Sequence, residues 1–257
     1  MTRLRAPIVL MGLALATGGA KAETTAARLD RLVAAYPQAL TGHDGSHIFW
    51  RDGTAMSVDD GIENKPFEGL LRKATILNQL SLSYPLGKSA PPELNDDPGR
   101  FRNEAFFKKM YGDCNAGGVA KNLVPVIWLP RSWGKSIQVT NVNGIADRLR
   151  KVSAEIDELE PTIKRAAFPI AGVYSCRPVA DTGKMSVHGY AAAIDLNLKY
   201  SDYWLWAGKS KVIPYKNRMP QQIVDIFERH GFIWGGKWHH YDTMHFEYRP
   251  ELLNEKR

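Results

Sequence analysis

Two short segments, fifty residues apart, constrain this chain more than any other feature. The first is Ser186-Val187-His188-Gly189-Tyr190-Ala191-Ala192-Ala193-Ile194-Asp195, and the second is Asp242-Thr243-Met244-His245-Phe246-Glu247. Each sets a histidine and an aspartate into an apolar or aromatic run. An ionisable group in such surroundings is costly unless it is paired or coordinates a metal. A fold that relieves both segments at once must bring them to one place. Together they hold two imidazoles and two carboxylates, enough for the three ligands of a hydrolytic zinc site, an open coordination position and a base beside it.

The spacings add geometry. His188 and Asp195 are seven apart, which puts them on opposite faces of a continuous strand. They converge only if His188 precedes the strand, in the turn containing Gly189, and Asp195 lies within it. Asp242 and His245 are three apart, and a bend between strands would turn both toward one cleft. This reading makes His188, Asp195 and His245 the zinc ligands and Asp242 the base on the attacking water. The neighbouring His239 and His240 stand as alternative third ligands, although the Asp-x-x-His spacing favours His245. His240 is otherwise expected to contact substrate and His239 to be exposed. Trp234, Trp238, Tyr241 and the cluster Tyr203-Trp204-Trp206 are candidates for the cleft wall, with packing roles as the alternative.

The remaining chain reads as helices first and antiparallel strands later, an α+β fold. Helices are expected at residues 25–35, 68–82, 103–111, 145–159 and 220–230. The 145–159 segment carries Ile145, Leu149, Val152, Ile156 and Leu159 as a single stripe, ended by Pro161. Strands are expected at 124–129, 136–140, 170–176, 191–198, 232–234 and 245–248. The expected organisation is a signal peptide over residues 1–22 and a single unit over 23–257. Within that unit a helical N-terminal extension (23–165) precedes a core of small antiparallel sheet and flanking helices (166–257).

The leader rests on Arg3 and Arg5, the apolar run 6–16 and the Ala20-Lys21-Ala22 cleavage pattern. It places the mature protein outside the cytoplasm, periplasmic or secreted, with no membrane anchor after cleavage and as an expected monomer. The formal charge is +7, and removing Arg3, Arg5 and Lys21 leaves +4 over about 235 residues. That mild, interspersed charge argues against nucleic acid as a partner. The two cysteines, Cys114 and Cys176, allow one disulfide, which an oxidising compartment favours.

The pattern Ser-x-His-x(6)-Asp followed by acidic-x-x-His, set among aromatics from about 172 to 253, resembles the D-alanyl-D-alanine carboxypeptidase family of zinc peptidases. Its relatives include vancomycin-resistance D,D-peptidases and L-alanyl-D-glutamate endolysins, with a fold shared by lysostaphin-type enzymes and the hedgehog domain. The resemblance implies zinc on His188, Asp195 and His245, and Asp242 as general base, where many relatives carry Glu. It also implies that Arg177 steadies an oxyanion or a substrate carboxylate, and that Ser186 bonds substrate or orients a ligand. The extension has no counterpart in the minimal family core and is read as building subsites. The expected function is hydrolysis of peptide bonds in peptidoglycan stem peptides by metal-activated water. The alternatives are a non-catalytic cell-wall-binding protein that retains the metal fold, or another exported metallohydrolase such as an amidase.

Overall fold

The structure, a computed structural model, describes residues 23–180, 182–208 and 213–253. The expected leader at 1–22 lies outside the described residues. Among those described, no helix is long and apolar enough to cross a membrane.

The chain opens with α1 (Thr25–Ala35), whose first turn is capped by the Thr24 hydroxyl accepting from the Ala27 N–H, and which buries Leu29 and Leu32. A meander follows: β1 (Leu40–His43), β2 (His47–Trp50) and β3 (Ala55–Ser57), paired antiparallel in that order. No strand was expected here. These strands are three or four residues long and are joined through Asp44-Gly45 and Asp52-Gly53, so turn chemistry masks their alternation.

The helix expected over 68–82 is two: α2 (Phe67–Lys73) and α3 (Ile76–Gln79). Ala74 and Thr75 adopt extended backbone between them, and Thr75 starts α3 with a reciprocal capping box to Asn78. After a loop, Asn103 caps α4 (Glu104–Tyr111), which buries Phe106, Phe107 and Met110.

A two-stranded antiparallel hairpin, β4 (Leu123–Trp128) and β5 (Lys135–Thr140), supports α5 (Ile145–Asp157). The helix lays its expected stripe of Ile145, Leu149, Val152 and Ile156 against β4 and a later helix. The short α6 (Pro161–Lys164) leads into the site region, where β6 (Ala193–Asp195), α7 (Gln221–Arg229), β7 (Phe232–Trp234) and β8 (His245–Tyr248) follow. Their antiparallel sheet has the order β6-β8-β7, so the last strand is central. Phe227 of α7 stacks on Phe246 of β8 with ring centroids 4.0 Å apart, covering one face of the sheet. Alternation then turns His245 and Glu247 to the other face.

Seven α-helices and three small antiparallel sheets among the described residues make this an α+β protein. The expected strand at 170–176 is absent. Gly172 makes only a single bridge, to Asp195. Cys114 and Cys176 form a disulfide, tying the segment before the sheet to the extension.

Candidate metal centre

The site begins with register. Asp195, the last residue of β6, pairs directly with His245, the first of β8. Residues fifty apart in sequence are thus neighbours because one antiparallel pair ends there. His188 arrives from a 3-10 turn, Val187–Tyr190, started by Ser186, whose hydroxyl accepts from the His188 N–H at 3.3 Å. The neighbouring Gly189 packs closely on Met185, whose Sδ would lie 2.4 Å from a Cβ there and would have to shift. The expectation that His188 precedes the strand in this turn therefore holds.

Three atoms converge. His188 Nε2 lies 3.1 Å from Asp195 Oδ1 and 3.2 Å from His245 Nδ1, and His245 Nδ1 lies 3.0 Å from Asp195 Oδ1. Outer partners fix which nitrogen carries hydrogen. His188 Nδ1–H donates to the Val173 carbonyl at 2.6 Å, and a carbonyl can only accept. His245 Nε2–H donates to Glu247 Oε2 at 3.0 Å. Both inward nitrogens therefore present lone pairs, and they face a carboxylate oxygen. With both rings neutral, three lone pairs at this spacing repel, and either a proton on one nitrogen or a metal ion between them relieves the repulsion. A tetrahedral ion with bonds of about 2.0–2.1 Å separates its ligands by about 3.3–3.4 Å, close to the triangle seen. Two imidazoles and one carboxylate, each imidazole steered by an acceptor behind it, fit zinc. The three residues form a group able to hold a metal ion.

Electrostatics describe the same cluster. Burial disfavours charge on Asp195, yet His188 and His245 outweigh it and hold the carboxyl far below the ordinary range. Where a proton rather than a metal ion occupies His245 Nδ1, the bonds to Asp195 and Glu247 prevail over burial and push the imidazole up to about 10; a metal bound there would displace that proton. Glu247 is lowered to about 2, because His245, Arg102 and Arg249 overcome its burial.

Asp242 stands apart. Burial raises its carboxyl to about 6, with Asp195 adding to the effect and His245 opposing it. Its Oδ1 is buried with no hydrogen-bond partner among the described residues, and the side chain lines the cleft beside the three ligand candidates. The loop that holds it depends on Gly235. The Asp242 N–H donates to the Gly235 carbonyl at 3.0 Å, and a Cβ on Gly235 would lie 2.5 Å from the Asp242 backbone carbonyl oxygen.

Of the other expected residues, Arg177 is exposed and lines the cleft, next to the disulfide at Cys176. Ser186 also lines it, its hydroxyl serving the His188 turn. His240 is not in the ligand cluster. Its Nδ1 donates to Asp97 Oδ2 at 2.6 Å, while its ring stacks on Phe67 and meets Trp204 edge-on at 4.8 Å. His239, expected to be exposed, is half-buried, because its N–H donates to the Asp96 carbonyl and the extension covers it. Tyr203, Trp204 and Trp238 line the cleft. Trp234 instead packs on Phe246 and donates to the Thr243 carbonyl, and the Tyr241 hydroxyl donates to Pro214.

Several cleft residues were not foreseen. Arg100 and Arg102 line the cleft and Asp97 holds His240, all from a loop rich in Pro and Gly about 140 residues away in sequence. No local pattern links them to the motif. Glu247 carried a signal, since it follows His245 by two on a strand and so shares its face.

Three donors able to hold a metal ion therefore stand on a small antiparallel sheet beside a carboxyl without a partner among the described residues. Residues 180–248 match the family model described as D-alanyl-D-alanine carboxypeptidase, about a quarter of the chain. That segment contains Ser186, His188, Asp195, Asp242 and His245, so the site region is similar to that of D-alanyl-D-alanine carboxypeptidases. No curated protein and no solved structure matches the chain.

Proposed function

We propose that the protein is an exported, zinc-dependent peptidase that hydrolyses peptide bonds in peptidoglycan stem peptides. The observation carrying this reading is the triangle of His188 Nε2, Asp195 Oδ1 and His245 Nδ1, 3.0–3.2 Å on each edge, inside a segment similar to carboxypeptidases of that family.

Zinc, when bound by His188, Asp195 and His245, would supply Lewis acidity toward a carbonyl and a water. The chain's own groups do the rest. Asp242, whose Oδ1 has no competing partner, takes the proton of the attacking water and passes it to the leaving amine. Arg177, a planar donor at the cleft, faces the negative charge that develops on the carbonyl oxygen. Val173 and Glu247 keep the two imidazoles in the tautomer that binding needs. The extension is read as part of the same unit, since Asp97, Arg100 and Arg102 reach the cleft from it. The working form is read as a periplasmic or secreted monomer without a membrane anchor.

Digestion of purified muropeptides by the zinc-loaded protein, with products identified by mass spectrometry, tests the reading. Cleaved stem peptides with wild type and intact ones with Asp242→Asn are expected. Identical product profiles from the two proteins would overturn the catalytic assignment.

A further inference from the structure

The cationic side chains around the cleft separate by their partners. Lys184 Nζ lies 3.1 Å from Glu104 Oε2, and Arg100 Nη1 lies 3.4 Å from Asp97 Oδ2. Arg249 is engaged by Glu247, Glu251 and the Gly99 carbonyl. Arg102 differs. It is half-buried and lines both the metal cleft and a small neighbouring cavity bordered by Phe107, Met185 and Tyr190. Its guanidinium makes no hydrogen bond or ion pair with the described residues.

The acid that acts on it does not remedy this. Glu247 attracts Arg102 electrostatically, but both of its oxygens are already bonded, Oε1 by Arg249 at 2.9 Å and Oε2 by His245 at 3.0 Å. Burial pushes the Arg102 pKa below the ordinary arginine value, so the half-buried cation has given up part of its water without a bonded counter-ion among the described residues. A desolvated, unpaired charge is unfavourable, and an incoming anion would relieve it.

The backbone that presents Arg102 is anchored on both sides. Upstream, the Gly99 carbonyl accepts from Arg249 at 2.8 Å, and a Cβ on Gly99 would lie 2.4 Å from Ile233 Cδ1. Downstream, the Asn103 N–H donates to Gln79 Oε1 at 3.0 Å, and its Nδ2 donates to the Ala74 carbonyl at 3.2 Å. The guanidinium thus starts from a fixed base, and little ordering remains to be done when a ligand arrives.

We propose that Arg102 binds a free carboxylate of the substrate, pairing its planar fork with both carboxylate oxygens. The assignment rests on the peptidase reading above and adds to it a specificity residue from outside the matched segment 180–248. It divides labour between two arginines: Arg102, half-buried, holds ground-state charge, and Arg177, exposed, meets charge that appears during reaction. The carboxylate is the C-terminal group of the peptide or an acidic side chain near the scissile bond.

Calorimetric binding to the zinc-loaded full chain distinguishes these sources with two probe pairs. One pair is acetyl-D-alanyl-D-alanine and its C-terminal amide. The other is acetyl-L-alanyl-D-glutamate amide and the D-glutamine equivalent. Wild type is expected to bind the acid of one pair at least tenfold tighter than its neutral counterpart. Arg102→Gln removes that preference, and Arg102→Lys, which keeps charge but not the fork, retains part of it. An acid-to-neutral ratio unchanged in Arg102→Gln, or no preference in wild type for either pair, overturns the proposal. Thermal melts of both variants separate a folding defect from a binding one. Failure of the peptidase reading would show instead as no hydrolysis by wild type, while the binding ratio still judges Arg102.

Discussion

Strand β8 and the turn after it serve two polar clusters that differ in how fully they are satisfied. At the start of the strand, His245 meets His188 and Asp195 with three metal-competent donor atoms turned inward, and Asp242 Oδ1 beside them has no partner among the described residues. Farther along, Arg249 bonds Glu247 at 2.9 Å, Glu251 at 2.6 Å and the Gly99 carbonyl at 2.8 Å, with the Tyr36 hydroxyl donating to Glu251 at 2.6 Å. That second cluster is almost closed, with only Arg249 Nη2 left over. Glu247 belongs to both, one oxygen in each. The difference is instructive because burial and charge are alike in the two. Open valence marks the first as a place for a ligand, and closed pairing marks the second as the joint between extension and sheet.

The comparison can be broken at either end. The largest expected effect is at the open cluster. Asp242→Asn is expected to lower kcat by about 10²–10⁴-fold, measured by steady-state hydrolysis, with the thermal melting point unchanged. A large loss of stability would move Asp242 to the structural side. At the closed cluster the signs reverse. Arg249→Met leaves Glu247 and Glu251 buried without their cation, and should cost about 3–5 kcal/mol in denaturant unfolding. A variant of native stability would show that the network does not hold the extension.

The disulfide tests the same joint from the other side. Cys114 and Cys176 close a loop of 62 residues. Replacing both with Ala should destabilise by about 2–4 kcal/mol, chiefly by freeing the unfolded chain, again read from denaturant midpoints. The smallest effect is expected far from both clusters. Thr75→Ala removes the cap of α3 and should cost about 1 kcal/mol, without changing zinc affinity or hydrolysis.

The legible parts of the sequence were those where one local rule dominates. The stripe of Ile145, Leu149, Val152 and Ile156 fixed α5 to within two residues of its end, and Pro220 and Gly231 bracketed α7. His188, Asp195, Asp242 and His245 were legible because charged groups in apolar runs demand an explanation, and the structure brings all four to one cleft. What stayed hidden depends on distance or on competing signals. The 68–82 segment has helical periodicity throughout, yet Thr75 prefers to start a new helix than to continue the old one. The β1–β3 meander was obscured by its own turns. Asp97 was unreadable as the partner of His240, since 143 residues separate them and nothing local marks either end. The same holds for Arg102.

The central claim is that His188, Asp195 and His245 hold the metal and His240 does not. Zinc content after exhaustive dialysis, measured for wild type and for alanine variants of these four residues, tests it most directly. The account predicts about one zinc per chain for wild type and for His240→Ala, and almost none for the other three variants. Zinc retained by His245→Ala, or lost from His240→Ala, would contradict it.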